Sequence, residues 1–149
     1  MRVILQRSRD ASVTVDGQVV GSIRHGLVAL VGIADGDTEA DVGLLAKKTI
    51  GLRIFADDKG KMNRSVDDVG GAVLAISQFT LLANCRKGRR PSFVAAAEPG
   101  TAKRLYELYV ELIRDAGIEV ACGVFAADMQ VRLTNDGPVT ICLDSESLQ

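Results

Sequence analysis

The stretch Ser12-Val13-Thr14-Val15-Asp16-Gly17-Gln18-Val19-Val20 decides how the whole chain is read. Two runs rich in β-branched residues flank Asp16-Gly17, a dipeptide that supplies positive φ at both centres of a tight turn and folds the runs back on each other as a hairpin. Upstream, Val3-Ile4-Leu5 opens a strand. Downstream, residues 27–33 form a short continuous apolar run that reads as a buried strand.

From about Thr38 the period changes. Val42, Leu45, Ala46 and Thr49 fall on one helical face, preceded by acidic residues that suit a helix N-terminus. Residues 51–56 return to strand character, residues 57–61 form a polar turn, and Gly70-Gly71 breaks the chain before an apolar run at 72–82 that reads as a strand covered on both faces. A polar segment at 84–100 precedes a second helix marked by Leu105, Leu108, Tyr109 and Leu112 and ended by Gly117. Strands are expected at 118–122, at Met129, Val131 and Leu133, and at 139–143, the last two joined by a turn at 134–138. About seven strands and two helices, in an order close to βββαββαβββ, give an α+β fold with a mostly antiparallel sheet curling into a barrel-like core. Two helices leave sheet surface over, which a homodimer would cover.

The 149 residues, 47% hydrophobic, exclude a disordered chain and are too few for a second full domain, so residues 1–149 are read as one unit. Three scattered cysteines, Cys85, Cys122 and Cys142, and a single histidine, His25, do not make a zinc site of the usual Cys/His kind, and no other metal or cofactor is expected. The cysteines sit among apolar neighbours that suggest packing, and the setting they imply is reducing. The N-terminus is charged again after three apolar residues, so neither a signal peptide nor a membrane span is expected and the protein is read as cytoplasmic. A net charge of −1 excludes coating of nucleic acid along its length, but not a local contact. The outstanding charge run is Arg86, Lys87, Arg89 and Arg90 around Gly88; by itself it reads as a solvated loop.

Three places offer chemistry. His25, in a turn between two expected strands, reads as a surface residue, and without a second imidazole a Ser-His-Asp or Cys-His arrangement is not available. Ser77-Gln78-Phe79-Thr80 is where a hydrophobic strand suddenly presents three hydrogen-bonding side chains. Strand alternation puts Ser77 and Phe79 on one face and Gln78 and Thr80 on the other, unless the strand ends there. Asn135-Asp136-Gly137-Pro138-Val139-Thr140 reads, on the residues alone, as an ordinary turn, since only about 5% of X-Pro bonds are cis.

Both segments occur together, and here the chain resembles the D-aminoacyl-tRNA deacylases along essentially its full length. The resemblance begins with Arg7-Ser8-Arg9-Asp10-Ala11-Ser12-Val13-Thr14-Val15-Asp16-Gly17. It runs through Ser77-Gln78-Phe79-Thr80-Leu81 and Gly88-Arg89-Arg90-Pro91-Ser92-Phe93. It closes with Ala127-Asp128-Met129-Gln130-Val131 and Asn135-Asp136-Gly137-Pro138-Val139-Thr140.

The resemblance implies hydrolysis of the ester joining a D-amino acid, or achiral glycine mischarged on tRNA(Ala), to the 3′-terminal adenosine of tRNA. Main-chain N–H groups around Phe79 would take the developing oxyanion, an aminoacyl ester being already activated. Ser77, Gln78, Phe79 and Thr80 form the implied catalytic segment. Gln78 and Thr80 position the ester while the ribose 2′-hydroxyl helps activate water; Thr80 as nucleophile lacks a partner to deprotonate it. Gly137-Pro138 is implied to be a cis dipeptide that reaches into the other subunit of a homodimer and rejects an L side chain. Met129 and Asn135, with Arg86, Lys87, Arg89 and Arg90, are the implied contacts to substrate and to the tRNA 3′ end. The rival readings are a catalytically idle tRNA-end or protein-binding module and a general small-molecule esterase.

Overall fold

Asp16 and Gly17 take φ of 49° and 77° and turn β1 (Arg2–Val15) directly into β2 (Gln18–Gly32), so the hairpin read from the sequence starts the fold. The computed structural model describes residues 1–148. Each strand is longer than its apolar runs: β1 joins residues 3–5 to 12–15, and β2 joins 18–20 to 27–33. Asp10 at φ 49° and Gly26 at φ 144° interrupt the alternation between those runs. In β1 the interruption coincides with a register shift, and residues of equal parity change face there: Val3 and Leu5 enter one cluster, Ala11 and Val13 another.

The chain continues through α1 (Glu39–Gly51), β3 (Phe55–Ala56), β4 (Met62–Arg64), β5 (Ala72–Ser77), a 3-10 turn (Phe79–Leu82), α2 (Pro99–Asp115), β6 (Val120–Cys122), β7 (Gln130–Asp144) and the short α3 (Ser145–Leu148). The main sheet has the order β6-β5-β2-β1-β7, with β3 and β4 forming a separate pair. Its long pairings are antiparallel, as expected, β1 running against β2 and β7, but the two shorter ones, β2–β5 and β5–β6, are parallel. Each parallel strand is reached through a connection containing a helix, which returns the chain in its original direction. Among the described residues the sheet does not close into a barrel. The sheet is open, with β6 and β7 as its edges. It nevertheless folds over: a Cβ on Gly21 would lie 2.6 Å from the Cys122 carbonyl oxygen, so the first half of β2 rests on the main chain of β6 without pairing to it.

The two strands expected at 129–133 and 139–143 are one strand, β7. The strand expected at 51–56 is reduced to Phe55–Ala56 because α1 runs on to Gly51. The first helix buries Val42, Leu45, Ala46 and Thr49 as its period requires, and the Asp41 carboxylate accepts from the N–H and hydroxyl of Thr38 at 2.9 and 2.8 Å to fix its start. In α2 Leu105, Tyr106, Tyr109, Val110 and Ile113 are buried, so its inner face is turned slightly from the Leu108 and Leu112 stripe. These two helices and one sheet face enclose the main core. No helix among the described residues is long and apolar enough to cross a membrane.

Candidate active site

β5 is buried on both sides, Val73 and Ala75 facing the helices and Ala72, Leu74 and Ile76 facing the folded-over half of the sheet. At Ser77 the strand ends. The Gln78 N–H still donates to the Val31 carbonyl at 2.7 Å, and Gln78 (φ −143°, ψ 79°) then turns the chain into the 3-10 turn. Within that turn Leu81 N–H donates to Gln78 and Ala83 N–H to Thr80. The N–H groups of Phe79 and Thr80 find no protein acceptor among the described residues, as expected at the start of such a turn.

The alternation that would separate Ser77 and Phe79 from Gln78 therefore stops where it would matter. All three line one cleft of about 470 Å³. Val31, Ile33, Ala96, Ala97, Ala102 and Phe125 give it apolar walls, and Met129 closes one side beside Asp128. Thr80 is exposed and does not line the cleft; its hydroxyl accepts from the Gln78 amide Nε2 at 2.5 Å. An amide N–H is a donor, so this contact orients the hydroxyl and cannot deprotonate it.

Phe79, 54% exposed, meets Phe93 edge to face, with ring centroids 5.1 Å apart. Asn84 and Ser92 exchange main-chain hydrogen bonds of 2.8 and 3.0 Å and close the intervening loop at its base. Arg86, Lys87, Arg89 and Arg90 stand exposed on that loop, outside the cleft lining, and none is ion-paired among the described residues. Phe93 thus ties the stem of the basic loop to the rim of the cleft. It was given no role in the sequence; an aromatic within an otherwise polar segment was the available signal.

Gly137 and Pro138 lie elsewhere. They are exposed in the middle of β7, their peptide bond is cis, and the register to β1 shifts there between Gln6 and Ser8. Asn135 is committed to bracing them: its Oδ1 accepts from Val139 N–H at 2.7 Å and its Nδ2 donates to the Thr140 hydroxyl at 3.0 Å. Arg7 adds a second brace, donating through Nε to the Asp136 carbonyl and through Nη1 to the Ile54 carbonyl, each at 2.7 Å. Arg7 opens one of the motifs quoted above, but only the structure shows what it holds. From Met129 to Gly137 the path along β7 is roughly 25 Å at the usual rise per strand residue.

His25 lies within β2 rather than in a turn, edge-on to Phe55 at 5.4 Å and away from the cleft. Cys122 is half-buried and packs against the main core as its neighbours suggested, whereas Cys85 and Cys142 are exposed. Among the described residues no group of three or more His, Cys, Asp or Glu side chains is placed to hold a metal.

The fold and cleft define an α+β protein whose candidate site combines apolar walls with main-chain donors. Residues 4–144 match the family described as D-Tyr-tRNA(Tyr) deacylase, and the chain belongs to that family. It is 65% identical over 144 residues to the D-aminoacyl-tRNA deacylase of Rhodopirellula baltica, covering 97% of this chain and 99% of that one. It is 57% identical over 145 residues to that of Thermus aquaticus, covering 97% and 95%. Among solved structures, one titled c-Myc DNA Unwinding Element Binding Protein superposes with a TM-score of 0.90 at 37% identity over 97% of this chain and 98% of its own. A probable eukaryotic D-amino acid tRNA deacylase shares the fold at a TM-score of 0.81 and 18% identity, over 95% and 97%.

Proposed function

We propose that this chain hydrolyses the ester bond of D-aminoacyl-tRNA, and of glycine mischarged on tRNA(Ala), releasing the free amino acid and tRNA in the cytoplasm, where charged tRNA is used. Family membership over residues 4–144 carries this reading, and the construction of the cleft supports it. The terminal adenosine enters between Phe79 and Met129, where apolar walls suit a flat base. The ester carbonyl then lies beside the unengaged N–H of Phe79, which receives the oxyanion as water attacks. The ribose 2′-hydroxyl helps activate that water, and the Gln78–Thr80 pair holds the ester in place.

The handedness of the α-carbon is read by a second copy of the chain. One protomer carries its Gly137-Pro138 segment exposed on β7, well along the strand from its own cleft, which suits delivery into a partner's cleft. The carbonyls of that segment hold the α-ammonium group. With amine and ester both anchored, the hydrogen and side chain of the α-carbon exchange places between D and L, and an L side chain is driven against main chain. Glycine has no side chain to reject. Arg86, Lys87, Arg89 and Arg90 meet acceptor-stem phosphates, and Asn135 acts by holding the Gly137-Pro138 segment in shape.

Incubating the protein with D-tyrosyl-tRNA and L-tyrosyl-tRNA tests the reading. Rapid loss of the D ester alone is expected. Equal loss of both would mark a general esterase, and loss of neither would mark an idle tRNA-end module.

A further inference from the structure

The β6–β7 connection passes through Gly123, Phe125 and Met129, and Gly123 is closely hemmed in. A Cβ built there would lie 2.5 Å from the Met129 sulfur and 3.2 Å from Ile76 Cδ1. Neither the backbone nor Ile76 has room to yield. The Gly123 N–H donates to the Ala75 carbonyl at 3.1 Å, and the hydroxyl of buried Tyr106 donates to that same carbonyl at 2.9 Å, which pins residue 123 to β5. Ile76 is 1% exposed and packed into the second cluster. Met129 is half-buried, its thioether end is flexible, and its open side is the cleft.

From this we infer that Gly123 is a positioning residue for binding: the missing side chain at 123 lets the Met129 thioether sink into the wall and thereby sets the width of the cleft that admits the terminal adenosine. The inference rests on the proposed reading of the cleft. Gly123 touches no substrate and acts only through Met129. Any side chain at 123 displaces the sulfur toward the space the base would occupy, so the loss falls on binding of the RNA end, not on the bond-breaking step.

A double-mutant cycle with D-tyrosyl-tRNA tests this. Gly123→Ala should raise KM by roughly 10-fold, the effect of about one methylene group misplaced in an apolar pocket, with kcat and the D/L ratio nearly unchanged. Met129→Val removes the sulfur that the new Cβ would strike. In that background Gly123→Ala should add less than about a twofold change in KM, a coupling that independent sites do not show. An equal KM penalty in both backgrounds, or a fall in kcat with KM unmoved, would overturn the inference. If Gly123→Ala alone does not fold, comparison of Met129→Val with the double variant decides: equal KM values support the inference and unequal ones overturn it. If the parent chain cleaves no D ester, the proposed function has failed instead; a crystal structure of Gly123→Ala then still shows whether the Met129 sulfur has moved into the cleft.

Discussion

The cleft at the end of β5 and the segment around Gly137 in the middle of β7 are built from different materials. The cleft takes its form from packing: a strand buried on both faces stops at Ser77, and apolar side chains close around the turn that follows. The β7 segment is exposed main chain, shaped by hydrogen bonds from Asn135 and Arg7 and by the ion pair of Arg9 with Asp136 at 3.2 Å. In the proposed mechanism the first holds the ester and the second judges its handedness. The difference teaches that damage to the cleft should weaken binding or cleavage without moving the D/L ratio, while damage to the β7 segment should lower that ratio along with the rate.

Gly137→Ala should separate the two most sharply. Its Cβ would stand 2.7 Å from Val139 Cγ2 and 2.9 Å from the Val139 nitrogen, at φ 148°, a conformation that L side chains rarely adopt. The segment must move, and a shift of about 1 Å in a positioning element costs on the order of 100-fold in rate. Single-turnover assays should show that loss on D-tyrosyl-tRNA together with a reduced D/L ratio. A normal ratio would detach β7 from chiral selection.

Removing charge from the basic loop should act more mildly and in the other direction. Arg89→Ala with Arg90→Ala should raise KM and lower the slope of log KM against log salt by about 1 for each phosphate no longer neutralised, leaving the D/L ratio as in the parent. An altered ratio would show that the loop takes part in reading the amino acid.

A lesion in neither region supplies the baseline. The Thr38 N–H and then its hydroxyl hold the Asp41 carboxyl below its ordinary 3.8. Because the folded value is depressed, the stabilisation is present at neutral pH and is lost as pH falls below that ordinary value and through the folded one. Asp41→Asn should cost about 1 kcal/mol at pH 7, the usual difference between a hydrogen bond to a charged and to a neutral acceptor, and the gap in melting temperature from the parent should narrow toward pH 3. Its kcat, KM and D/L ratio should not change.

Much of the fold was legible in the sequence, and for physical reasons. Local signals carried: Asp16-Gly17 turned as its positive φ requires, and α1 buried the face its period marked. Irregular backbone was harder to see. Positive φ at Asp10 leaves no mark in an apolar pattern, so β1 read as two pieces, and the polar residues between the halves of β2 and β7 looked like turns. Strand direction was lost too, because whether β5 lies parallel to β2 depends on how the intervening chain packs. Ser77, Gln78, Phe79 and Met129 did meet in one cleft. The end of β5 made that possible, and nothing in the alternation of Ser77-Gln78-Phe79-Thr80 announced it. Phe93 and Arg7 escaped because their partners, Phe79 and the carbonyls of Ile54 and Asp136, are distant in sequence.

Subunit mixing tests the central claim, an ester held by one copy and a chiral centre read by another. A Phe79→Pro chain lacks the main-chain N–H assigned to the oxyanion, and a Gly137→Ala chain carries the distorted β7 segment; each alone should be nearly inactive on D-tyrosyl-tRNA. Unfolded and refolded together, mixed dimers should regain one working site each, an intact cleft from the Gly137→Ala chain served by the intact β7 segment of the Phe79→Pro chain. No recovery in mixed dimers isolated by dual affinity tags would contradict delivery of the β7 segment between copies.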